Sequence, residues 1–97
     1  MAKRSLDADL VQRDVGRRIA ELRRERDLTQ EKLAARADVT WKYLQHVEAG
    51  RENLTIKSLV GFANLFGVRV GELFRRPRSR SRKKGRPRGA TPANEAG

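Results

Sequence analysis

LTQEKLAARADVTWKYLQHVEAG, residues 28–50, decides the fold. Thr29 can cap a helix that has Glu31 in its first turn, and Leu33, Ala34, Ala35 and Ala37 carry that helix forward from Gln30. Asp38-Val39-Thr40 interrupts the pattern, and Thr40 can cap a second short helix that Gly50 is placed to end. A helix turns about 100° per residue. Leu44 and Val47 therefore face inward, while Lys42, Gln45, His46 and Ala49 share the opposite arc.

Upstream, Val11, Val15, Ile19 and Leu22 recur at spacings of three and four from Leu10 onward, with Arg17, Arg18, Arg23 and Arg24 mostly elsewhere on the wheel. That pattern predicts an amphipathic first helix. Downstream, Thr55 is a further cap, and Ile56, Leu59, Val60, Ala63 and Phe66 repeat at helical spacing up to Gly67. Val70, Leu73 and Phe74 suit a fifth, short helix. No segment alternates as a strand does, so the chain reads as an all-α, five-helix domain.

The full chain has 97 residues, with 23 Lys+Arg against 12 Asp+Glu and a formal net charge of +11. This length is expected to hold one small domain and an appendage. Through Phe74 there are 14 basic and 11 acidic residues; beyond it there are 9 basic and 1 acidic, together with all 3 prolines. We therefore expect a flexible arm over residues 1–6, a folded domain over 7–76 and a disordered basic tail over 77–97. So basic a chain points to a polyanionic partner. With no Cys, and His46 as the sole His, no disulfide framework or metal centre is expected, and no cofactor. No apolar run approaches the roughly 18 residues of a membrane span, nor does a leader follow Lys3 and Arg4. The expected location is cytoplasmic, in association with the nucleoid.

Two short helices joined at a steep angle by a tight turn form a helix-turn-helix, whose second helix can enter the DNA major groove. The plain alternative is a solvated helix face in a small bundle. Trp41, the only Trp, favours the first reading, because at the start of that helix, on the flank of the arc set by Leu44 and Val47, a purely structural Trp would be poorly employed.

Val15 to Phe74 resembles the Cro/C1-type (lambda repressor-like, XRE-type) helix-turn-helix family. The likeness rests on Gly16-Arg17-Arg18-Ile19, Leu22-Arg23, Leu28 to Ala34, Tyr43-Leu44 and Val47-Glu48-Ala49-Gly50, then on Leu59, Ala63, Phe66-Gly67-Val68 and Glu72-Leu73. The resemblance implies a five-helix domain that binds double-stranded operator DNA as a symmetric dimer. It places Thr40, Trp41, Lys42 and His46 near bases, and Gln45 shares their outward arc. Gln30 would contact the DNA backbone and brace the recognition helix, with Thr29 beside it as a cap. Arg51 and Asn53 fall in the loop that meets phosphate, Tyr43 would pack or touch phosphate, and Glu48 would pair with an arginine of the first helix such as Arg23.

Two positions depart from the family pattern. Trp41 stands where a small or polar residue is common, so an amide-to-adenine contact is replaced by stacking on sugar or by a thymine methyl contact. Leu54 stands where many members carry Pro. In the tail, Lys84-Gly85-Arg86-Pro87-Arg88-Gly89 looks like an AT-hook, which would place Lys83, Lys84, Arg86 and Arg88 in an A·T-rich minor groove. Phosphate binding, RNA contact through Arg78 to Arg82 and simple solubilisation are the other readings of that run.

The function expected is a sequence-specific transcriptional regulator acting as a homodimer, with Val70, Leu73 and Phe74 at the dimer interface unless they complete the monomer core. The rivals are an antitoxin that also binds a toxin, and an architectural or RNA-binding protein driven by its tail. No catalytic constellation is recognisable.

Overall fold

Each α-helix begins at a side-chain cap, as the Asp and Thr positions in the sequence require. In α1 (Ala8–Glu25) the Asp7 carboxylate accepts from the amides of Asp9 and Leu10. Thr29 accepts from the Lys32 amide at 3.1 Å to open α2 (Gln30–Ala37). Thr40 accepts from the Tyr43 amide at 3.0 Å at the head of α3 (Trp41–Glu48). Thr55 does the same for the Ser58 amide in α4 (Ile56–Phe66). Such a cap contributes about 1 kcal/mol, enough to decide where eight-residue helices start. The computed structural model describes residues 6–78, so residues 1–5 of the expected arm lie outside it, as do Lys83, Lys84, Arg86 and Arg88 of the tail.

The turn between α2 and α3 is made by Asp38 in the left-handed region (φ 59°), a conformation that Asp tolerates better than most side chains. α3 closes at Gly50, also left-handed (φ 78°), and the Arg51 amide donates back to the His46 carbonyl at 2.9 Å. α1 packs on α3, on α4 and on the C-terminal turn, while α2 packs on α3 and α4. Ile19, Leu33, Leu44 and Val47 are buried at the centre, with Phe62, Ala63 and Phe66 of α4 across from them. Fully burying such a side chain stabilises the fold by about 1.5–3 kcal/mol. Among the described residues, no helix is long and apolar enough to cross a membrane.

Four expectations are corrected. The fifth helix is a 3₁₀ turn, Val70–Phe74, which has no side-chain cap and is too short to nucleate an α-helix by itself. Leu73 leaves the expected dimer surface, because it is 0% exposed and completes the monomer core; Val70 packs against that core, and Phe74 stays 51% exposed. On α4 the inward position is Phe62, whereas Ile56 (77%) and Val60 (39%) lie exposed beyond the edge of the buried arc. The folded body also runs past Arg76, since Pro77 is fully buried and Arg78 pairs with Glu25 of α1 at 3.1 Å.

Gly16 decides how closely α1 crosses α3. A Cβ on it would collide with the Val47 carbonyl oxygen and lie 3.1 Å from that of Glu48, both backbone atoms that cannot swing aside. Gly16→Ala gains about 1 kcal/mol of helix propensity but forces two helices apart, at a typical cost of about 1–3 kcal/mol. We expect a net loss of stability and a lower midpoint in urea unfolding.

Candidate nucleic-acid interface

The outward face of α3 is held by a chain of polar contacts that begins inside the protein. Arg23 of α1 donates to both carboxylate oxygens of Glu48, through Nε at 2.7 Å and Nη2 at 3.0 Å, and its Nη1 donates to the Leu28 carbonyl at 2.9 Å. Both side chains are largely withdrawn from solvent, at 11% and 6% exposure. In this two-pronged geometry each oxygen accepts its own N–H. Glu48 Oε1 also accepts from Gln30 Nε2 at 2.9 Å, and Gln30 Oε1 accepts from the indole N–H of Trp41 at 3.2 Å. α1, the start of α2 and both ends of α3 are thus joined by one hydrogen-bonded chain.

Over this bracket the sequence-derived residues separate into groups. Trp41, Lys42 and Gln45 are exposed along one side of α3, with Ala49 at its end, and Leu44 and Val47 are buried on the other. His46 is less open than expected: it is partly buried, with Nδ1 3.7 Å from the Glu52 carboxylate. Thr29 and Thr40 are exposed, and although their oxygens accept at the helix caps, each hydroxyl keeps its proton to donate. Arg51 and Asn53 are exposed on the loop after α3, which Gln12 steadies by donating to the Gly50 carbonyl at 2.9 Å. The ring of Tyr43 packs against the core.

Residue spacing alone missed Arg17 and Arg24. They line a shallow hollow with Gln30, Gln45 and Glu48, beside the exposed side of α3. The Arg-rich run of the first helix carried the signal, yet the same run contains Arg18 and Arg26, which are committed elsewhere. Arg18 donates to the Glu72 carbonyl at 3.0 Å, and Arg26 grips the Phe66 carbonyl at 2.9 and 3.2 Å with its guanidinium over the Phe66 ring. Nothing in the local sequence sorts these arginines into free and engaged.

Because Glu48 is buried, removing its partner leaves an uncompensated charge. Arg23→Ala is expected to cost about 3–5 kcal/mol in denaturant unfolding. Glu48→Gln, which keeps hydrogen-bonding capacity, is expected to cost clearly less in the same measurement.

Comparison with known proteins matches this geometry. The helix-turn-helix family model HTH_3 matches residues 19–73. An uncharacterized HTH-type transcriptional regulator, y4dJ, of Sinorhizobium fredii is 44% identical over 59 residues, 61% of this chain and 77% of that protein. The chain spans less than half the length of two further curated relatives, 41% and 44% of them. Among solved structures, the restriction-modification controller protein C.AhdI from Aeromonas hydrophila is 34% identical with a TM-score of 0.61, over 70% of this chain and 100% of that one. SinR, a master regulator for biofilm formation solved in complex with DNA, is 30% identical with a TM-score of 0.57, over 61% of this chain and 95% of that one. With the bracketed second and third helices and a family match across more than half its length, the chain belongs to the HTH_3 helix-turn-helix family.

Proposed function

We propose that this protein is a sequence-specific DNA-binding transcriptional regulator that acts as a homodimer on a two-fold operator. The observation that carries the reading is the exposed side of α3, whose polar side chains stand on a rigid bracket while its other side is buried. The names of its relatives, regulators among them, support the same reading. In the major groove, Lys42 suits guanine O6 and N7, the Gln45 amide suits adenine, and Thr40 and His46 add shorter polar contacts. Thr29, Gln30, Arg51 and Asn53 surround this helix as phosphate contacts, which set register and orientation, and Tyr43, on the helix itself with its ring against the core, can add a contact only through its hydroxyl. Gln30 keeps one amide N–H for that purpose after donating to Glu48.

The dimer surface in this proposal is built from exposed apolar side chains. Ile56 and Val60 lie one turn apart on α4, and Phe74 lines a groove with Leu6, Leu54 and Leu59. Val70, partly buried against the core, belongs to the same 3₁₀ turn. Beyond Arg78 the chain adds Arg80, Arg82, Lys83, Lys84, Arg86 and Arg88. We assign these to sequence-independent phosphate contact or to the minor groove of A·T-rich DNA.

Titration of an operator recovered from randomised duplexes tests the reading. Lys42→Ala should lose about 1–3 kcal/mol on the operator and little on a scrambled duplex. Ending the chain at Arg78 should flatten the dependence of log K on log salt by up to about 5, at roughly 0.9 per phosphate. An equal loss from Lys42→Ala on both duplexes would refute base reading, and an unchanged salt slope would remove the tail from the DNA. For the dimer, Val60→Asp should weaken self-association at least about tenfold in sedimentation, roughly 1.4 kcal/mol, with helicity retained.

A further inference from the structure

Trp41 is 49% exposed at the start of α3, yet its single polar atom is already engaged: the indole N–H donates to Gln30 Oε1 at 3.2 Å. Tryptophan has no acceptor and no second donor. Gln30 is held in turn by Glu48, and Glu48 by Arg23, so the ring is tethered through a chain that ends in a buried ion pair. Trp41 therefore presents only a fixed apolar surface, next to the exposed Lys42. In the major groove the base edges present hydrogen-bond donors and acceptors, and the one apolar group that projects from them is the C5-methyl of thymine, where cytosine has only a C5–H.

We propose that Trp41 is a specificity-determining residue that recognises the C5-methyl group of a pyrimidine in the major groove. The inference rests on the DNA-binding reading above. Gln30 serves as a positioning residue: by accepting the indole N–H it removes the one group through which Trp41 could contact a base acceptor, and it holds the ring against the helix end. Pre-organisation of this kind reduces what must be ordered on binding. The same methyl is carried by thymine and by 5-methylcytosine, so the recognised class is the 5-methylpyrimidine. Stacking on deoxyribose, the competing role for an exposed indole, is indifferent to that methyl.

The probe is an operator selected from a randomised duplex library, remade with deoxyuridine in place of thymine one position at a time. At one thymine in each half-site, removal of the methyl should weaken the full-length protein about fourfold, the worth of burying one methyl group. Trp41→Ala should bind the thymine and deoxyuridine duplexes equally, whereas Trp41→Phe, which keeps a ring, should retain part of the preference. At the same position, 5-methylcytosine should bind more tightly than cytosine by a similar factor. Emission from Trp41, the only Trp, should change on binding the thymine duplex more than on binding the deoxyuridine duplex. Selective binding with no deoxyuridine penalty at any position would overturn this inference while leaving the DNA reading intact. An equal loss for Trp41→Ala on both duplexes would overturn it in favour of sugar stacking. Failure to enrich any sequence would overturn both.

Discussion

The buried pair of Arg23 and Glu48 is the interaction on which the arrangement of the helices depends. Taken alone, an ion pair out of water is close to neutral in stability, because desolvation offsets most of the Coulomb gain. Its value here is geometric. The guanidinium spends its three nitrogens on two carboxylate oxygens and the Leu28 carbonyl, so α1 fixes the approach to α2 and the end of α3 together. Gln30 then extends the same carboxylate toward the exposed side of the molecule. A fixed exposed side on a helix of only eight residues needs this support, since such a helix is too short to be stable by itself.

The other arginines of α1 follow the same logic. Arg18 holds the 3₁₀ turn through Glu72, and Arg26 closes the end of α4 through the Phe66 carbonyl. Each satisfies acceptors where the backbone runs out of its own donors, at helix ends or in turns. The consequence for charge is direct. Part of the positive charge of the first helix is internal structure, which leaves Arg17, Arg24, Lys42 and Arg51 as basic groups around the exposed side of α3. Net charge alone overstates what the folded body can offer a polyanion, and it gives the basic run after Arg78 correspondingly more weight in the proposed function.

Polar and apolar surfaces are also segregated. α3 shows polar side chains with Trp41 at its head, whereas Ile56, Val60 and Phe74 are exposed on the C-terminal elements. Scattered exposed apolar residues are ordinary. Ile56 and Val60, however, continue the buried arc of α4 beyond the monomer core, which is why a second copy is the proposed partner there. Separate surfaces would let self-association and DNA binding proceed without competition.

Helix starts, the all-α class and the buried side of α3 were legible in the residues themselves. Thr29, Thr40 and Thr55 each satisfy the amide three residues on, and Leu44 and Val47 face inward by helical periodicity; the Asp7 cap of α1 came from the structure. These are local interactions, and local chemistry can be read from adjacent residues. The pairing of Glu48 with an α1 arginine was legible only through resemblance to a family, because 25 residues separate the partners. Tertiary structure alone decided which arginines are clamps, that Leu73 and Pro77 are buried while Ile56 and Val60 are not, and that the Trp41 N–H is engaged by Gln30. Periodicity shows that a helix has an apolar arc; how far its neighbours cover that arc depends on packing between distant segments.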